Sequence, residues 1–123
     1  MRVDRIVNAV VAALEDIKGR DIVVLNVVKL TAMFDRVVIA TGDSGRQCKA
    51  LADNVCDKLT AAGVRVQGVE GVDVAEWVLV DLGSVVVHVM QPAARAHYNL
   101  EELWAPPKAP RKRSTRTAAT SET

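Results

Sequence analysis

An aspartate, a serine and a histidine, the residue types of an acyl-transfer triad, fall close together at Asp81, Ser84 and His88. A triad needs its nucleophile within hydrogen-bond reach of its base. Ser84 and His88 are four positions apart in an aliphatic, strand-like run, ~13 Å at the rise of an extended chain, so no direct proton transfer joins them. Metal chemistry finds no better footing. His88 and His97 are the only histidines, and neither has a cysteine or second histidine at ligand spacing. Cys48 and Cys56 sit eight apart in a helix-patterned segment, ~12 Å along its axis. A disulfide needs Cα atoms within ~7 Å. They read as two reduced core thiols, as suits the cytoplasm.

The remaining candidate for chemistry is VVIATGDSGRQ, Val37 to Gln47. A strand that breaks onto glycine, aspartate and serine and re-enters as a helix has the outline of a phosphate cradle. Gly42-Asp43-Ser44-Gly45 lacks the lysine and spacing of a P-loop, however, and there is no GxGxxG pattern. Asp43 would put a negative charge where a phosphate should sit. Ser44 and Gln47 also have the S-x-x-Q spacing of a capping box, which accounts for them as helix punctuation. The alternative that stays open is a nucleotide-binding enzyme of nucleotidyltransferase type using residues 42–45. Arg46 and Lys49 read as a solvated face or a patch for an RNA phosphate.

The elements that must carry these residues follow from periodicity. Ile6, Val7, Val10, Val11, Leu14 and Ile17 form one helical stripe, expected to end near Gly19. Residues 22–27 fit a short buried strand, and 36–41 a second. A helix after Ser44 buries Cys48, Leu51, Ala52, Val55, Cys56 and Leu59 and stops at Gly63. Residues 64–69 form a weaker strand. The runs EWVLVDL and SVVVHVMQ flank Gly83-Ser84, a two-residue hairpin signal. In that register Leu82 faces Val85, Asp81 faces Val86 and Leu79 faces His88. One hairpin face is wholly aliphatic. The other holds Trp77, Leu79, Asp81, Val86, His88 and Met90, the mixture of anchors and charges that binding surfaces favour. Either this face is open, or a helix covers it and Trp77 is core. Pro92 ends the strand, and a short helical cap follows. The order α-β-β-α-β-β-β-α implies a single α/β domain with a mixed sheet flanked by helices.

Composition sets the limits. Half of the 123 residues are apolar, enough for a core without disulfide or metal staples. Phe34, Trp77, Tyr98 and Trp104 are the whole aromatic set. No apolar window is long enough to span a membrane, and the N-terminus lacks the marks of a signal peptide. The net charge of +1 divides unevenly: residues 105–123 carry five basic residues against Glu122, and the rest holds eleven basic against fourteen acidic. The expected organisation is a domain over 1–104 and a basic, Pro/Ser/Thr-rich disordered tail over 105–123. That tail either attracts a polyanion such as ribosomal RNA or is a solubilising end.

The motifs FDRVVIATGDSGRQCKALAD, EG at Glu70-Gly71, WVLVDLG, VVVHVMQ and R-x-x-Y-x-L-x-x-L-W from Arg95 to Trp104 stand in this order. In them the chain resembles the Iojap family, the ribosomal silencing factors known as RsfS, across residues 4–104. The resemblance implies a nucleotidyltransferase-like α/β fold without its chemistry, and no cofactor or metal. In keeping with that, no Gly-Ser followed by an Asp-x-Asp pair is present to hold Mg²⁺ on a nucleotide. It also implies binding to the large ribosomal subunit through its protein number fourteen. There the chain would block joining of the small subunit and silence translation when nutrients are short. Matched by motif, the binding residues would be Trp77, Asp81, Leu82, His88, Met90 and Tyr98. Trp77 and Met90 would be apolar anchors, Asp81 and His88 polar register contacts, and Leu82 exposed by fraying beside the turn. Tyr98 would reach the same rim. Position 84 is Ser where the family usually has Asp, and the resemblance is compatible with a homodimer of the free protein.

Overall fold

Valine dominates the strands, as suits its β-branched side chain, and the alternation of the pleat fixes which face each residue fills. A computed structural model describes residues 2–100. In chain order the elements are α1 (Val3–Asp16), β1 (Arg20–Asn26), β2 (Arg36–Thr41), α2 (Gly45–Ala61), β3 (Gly68–Glu70), β4 (Trp77–Asp81), β5 (Val85–Met90) and α3 (Pro92–Tyr98). This is the α/β architecture with a mixed sheet that the sequence implies. The five strands lie in the order β1-β2-β5-β4-β3. Only β2 and β5 are parallel; the other pairs are antiparallel. The central strand β5 has an apolar layer on each face, which is why every one of its residues is buried and its sequence does not alternate.

Both long helices pack on one face. Ile6, Val10, Ala13 and Leu14 of α1 join Cys48, Leu51, Ala52, Val55 and Leu59 of α2 over Val38, Ala40, Val78, Val80, Val85, Val87 and Val89. The opposite face has a smaller apolar cluster, in which Val37, Ile39 and Met90 meet Val27 and Leu100, with Leu25, Phe34, Trp77 and Ala94 at its margin. The two layers are therefore unequal.

Three local expectations are corrected. The first strand is an edge strand with no residue fully buried, because the sheet order leaves its outer side without a neighbour. Helix α1 ends at Asp16, near Gly19 as expected, and the residue there with a left-handed φ is Lys18, at 63°. Gly19 is small for another reason: a Cβ there would lie 3.1 Å from the Leu14 carbonyl oxygen and from Leu51 Cδ2. The third strand begins only at Gly68, because Val64 turns its N–H back onto the Leu59 carbonyl at 2.8 Å and packs in the core. Cys48 is buried as expected, but Cys56 is only half-buried. Both thiols are free, and burial is the main cause that pushes each of them up from its ordinary pKa. The expected tail over 105–123 lies outside the described residues.

Candidate functional site

The hairpin is built as its turn residues dictate. Gly83 takes φ +90°, which an L side chain rarely adopts. Leu82 N–H bonds the Val85 carbonyl at 2.9 Å. The register that follows pairs Asp81 with Val86, Leu79 with His88 and Trp77 with Met90. Asp81 Oδ1 accepts the Gly83 N–H at 2.9 Å, a local bond that stiffens the tip.

Trp77, Leu79, Asp81, Val86, His88 and Met90 share the sheet face opposite the long helices. Within it they divide by burial. Met90 is 0 % exposed, buried in the apolar cluster that also holds Leu100 and has Ala94 packed against it, so it supports the surface from beneath and offers no contact area of its own. His88 is 8 % exposed and serves an internal partner: Trp77 Nε1–H donates to its Nδ1 at 2.9 Å. Leu82 is 4 % exposed and points to the other face, into the core with the long helices. The turn therefore does not fray, and the expectation of an exposed Leu82 is corrected. Trp77, Leu79 and Asp81 stay partly open to solvent.

Tyr98, by contrast, is 53 % exposed. Its ring lies 4.7 Å from the Trp77 ring, tilted by 47°, and His97 meets it edge-on at 4.9 Å. The structure thus brings Trp77, His88, Met90 and Tyr98 into one assembly, with Asp81 along the same strand and Leu82 excluded. The exposed part is a tilted aromatic pair on a buried base. Such a pair adds ~0.5–1.5 kcal/mol beyond burial and holds both rings in place for a partner.

Arg95 has a role beyond the motif that contains it. From α3 its guanidinium donates to Thr41 Oγ1 at 2.8 Å and to the Asp21 carbonyl at 2.6 Å. Asp21 lies where the β1–β2 register shifts, with φ 50°. A bulge takes a residue out of the ladder, and its carbonyl can then accept from elsewhere. The sequence signal for this was R-x-x-Y: on a helix, residues three apart share a face, so the residue that anchors α3 stands beside the one it displays.

The loop at residues 42–45 is occupied by the protein's own bonds. Ser44 Oγ accepts the Gln47 N–H at 3.1 Å as a cap. Gln47 Oε1 takes the N–H of Asp43 at 2.7 Å, one residue earlier than a standard capping box. Its Nε2 donates to the Ile17 and Lys18 carbonyls, so one side chain ties the end of α1 to the start of α2. Asp43 forms an ion pair with Arg20. A Cβ on Gly42 would fall 2.8 Å from Cys48 Sγ, and one on Gly45 would touch Ala75 Cβ at 3.4 Å. Gly42 is small because core atoms crowd it, whereas the contact at Gly45 is an ordinary one. Among the described residues no group of three or more His, Cys, Asp or Glu is placed to share a metal ion, and no helix is long and apolar enough to cross a membrane.

A mixed five-stranded sheet with the two long helices on one face and a half-covered aromatic face on the other defines an α/β domain. The family model described as ribosomal silencing factor during starvation, RsfS, matches residues 1–123, and the chain belongs to that family. The ribosomal silencing factor RsfS of Chromobacterium violaceum is 55% identical over 104 residues, covering 85% of each chain. That of Haemophilus influenzae is 42% identical over 100 residues, covering 81% of this chain and 98% of its own. The mouse protein named mitochondrial assembly of ribosomal large subunit protein 1 is 33% identical over 101 residues, which cover 44% of its length. A crystal structure from Chromobacterium violaceum superposes with a TM-score of 0.84 at 51% identity, covering 93% of this chain and 95% of that one.

Proposed function

We propose that this chain is a non-catalytic ribosomal silencing factor. It binds the large ribosomal subunit through its protein number fourteen and sterically blocks the small subunit from joining. Translation is thereby repressed in the cytoplasm under nutrient limitation or stationary phase. The observation that carries this reading is the Trp77–Tyr98 pair, partly open to solvent on the sheet face that α1 and α2 leave uncovered. Two supports stand beside it: membership of the silencing-factor family, and a mouse relative named for assembly of the large ribosomal subunit.

Trp77 and Tyr98 are the contact residues, and Leu79 and Asp81 flank them. His88 and Met90 form the base below, and Leu82 closes the core behind the hairpin. An aromatic anchor that meets a partner at the centre of an interface carries a large share of its energy. Obstruction needs nothing further, since a bound domain excludes another macromolecule by volume alone. The nucleotidyltransferase alternative gains no support from a loop whose Asp43 N–H, Asp43 carboxylate and Ser44 hydroxyl already bond within the chain.

The test is a sucrose gradient with dissociated subunits. The full chain should travel with the large-subunit peak and keep the subunits apart. Normal reassociation at saturating protein would reject the reading.

A further inference from the structure

An indole on a sheet surface has two rotatable bonds and a single polar atom, the Nε1–H donor. A half-buried Trp therefore needs an acceptor before its orientation is defined. The β4–β5 register supplies one. Met90 stands directly opposite Trp77, which makes His88 the diagonal neighbour, within reach of an aromatic side chain. The bond from Trp77 Nε1–H to His88 Nδ1 is 2.9 Å, with the rings 5.8 Å apart and tilted by 49°. A bare Nδ1 places the imidazole proton on Nε2, so the tautomer follows from the bond.

The surroundings keep that nitrogen bare. His88 is flanked by Leu79 on β4 and Ile39 on β2, with Val86 and Met90 two residues away on its own strand. Burial among these apolar groups lowers its pKa to about 4, so the ring is neutral near pH 7. On its other flank the indole meets the Tyr98 ring. Trp77 is thus held between a hydrogen-bond acceptor and a tilted ring in contact with it.

We propose that His88 is a positioning residue: its Nδ1 fixes the orientation in which Trp77 faces a partner, and it acts on binding only through Trp77. This rests on reading Trp77 as a contact residue of the large-subunit surface. It assigns to an almost inaccessible histidine an effect on affinity that its own surface is too small to supply.

The test is a double-mutant cycle with the full chain and purified large subunits. His88→Leu should weaken binding about tenfold, the scale of one lost hydrogen bond. In a Trp77→Phe background the same change should alter affinity by less than about twofold, since the group it acts through is gone. His88→Asn, which puts Oδ1 near the position of Nδ1, should stay within about threefold of the parent. Equal losses in both backgrounds would make His88 a general structural residue and overturn the proposal. If His88→Leu does not fold, His88→Phe removes the acceptor while keeping a ring.

A second measurement separates this idea from the reading beneath it. In the free chain, the Trp77 Nε1–H resonance, identified by its loss in Trp77→Phe, should lose its hydrogen-bonded shift in His88→Leu and keep it in His88→Asn. An unchanged shift in His88→Leu overturns the positioning role whatever the ribosome does. Wild-type binding by Trp77→Ala would instead remove the contact reading and, with it, any effect of His88 on affinity.

Discussion

Arg95 on α3 and Thr41 at the end of β2 are joined by a 2.8 Å hydrogen bond, although 54 residues separate them in the chain. The same guanidinium holds the Asp21 carbonyl, so α3 is fixed to two strands at once. Three residues on, Tyr98 lies against Trp77. The anchor of the helix and the displayed ring share one short element.

Arg95→Met should therefore act twice. It removes charged donors from a buried hydroxyl and a carbonyl, at a cost of about 1–3 kcal/mol in a urea melt. It should also weaken large-subunit binding, because Tyr98 loses its fixed place. A melt shift without any loss of binding would separate α3 from the contact surface.

Gly71 explains the EG step that precedes the hairpin. It adopts φ +86°, and a Cβ there would lie 2.1 Å from the Trp77 carbonyl oxygen. Backbone has no rotamer with which to yield. Gly71→Ala should destabilise by roughly 3 kcal/mol or more, combining positive-φ strain with a clash. Gly63→Ala is the control for the first effect alone: φ is +90° but nothing lies within 4 Å of the added Cβ, so the cost should be about 1 kcal/mol. Similar melting temperatures for the two variants would contradict this account.

Protonation of His88 gives a pH signature. Its folded pKa of about 4 lies below the ordinary 6.5 of an unfolded histidine. As pH falls below 6.5, the unfolded chain takes up the proton first. His88 thus contributes no penalty above that pH and destabilises the fold progressively down to about 4, by roughly 3 kcal/mol in total. Urea melts of wild type and His88→Asn between pH 7 and 4 should diverge in that direction, with the wild type losing more. Parallel curves would show that the histidine titrates alike in both states.

Much of this architecture is legible from local rules, and the failures have one cause. Ser44 and Gln47 announced α2 because a cap and a helical stripe are local, and Gly83-Ser84 set the β4–β5 register for the same reason. Whether Met90 or Trp77 reached solvent was not local. Both stand on one face, and they differ because Met90 lies inside the apolar cluster completed by Leu100 while Trp77 lies at its margin. The edge position of β1 likewise depends on the order of the whole sheet, and the anchor at Arg95 on a carbonyl freed by a bulge. His88 was visible as a polar residue on an aromatic face. That its partner would be Trp77 required the diagonal of the hairpin and the depth of burial together.

Residues 105–123 provide a contrast in mechanism. If basic charge carried binding, deleting them would abolish association with the large subunit and flatten its salt dependence. With the aromatic surface as the contact, deletion should change affinity modestly, while Trp77→Ala removes about 2 kcal/mol or more. Affinities at two salt concentrations for both variants distinguish these outcomes.

The most direct measurement follows subunit joining by light scattering, with large subunits preincubated with wild-type chain or Trp77→Ala. The account predicts that the wild type suppresses the rise in scattering at stoichiometric amounts, and that Trp77→Ala, shown to be folded at the assay temperature by circular dichroism, needs about thirtyfold more protein. Equal suppression by both proteins, or none by the wild type, would contradict it.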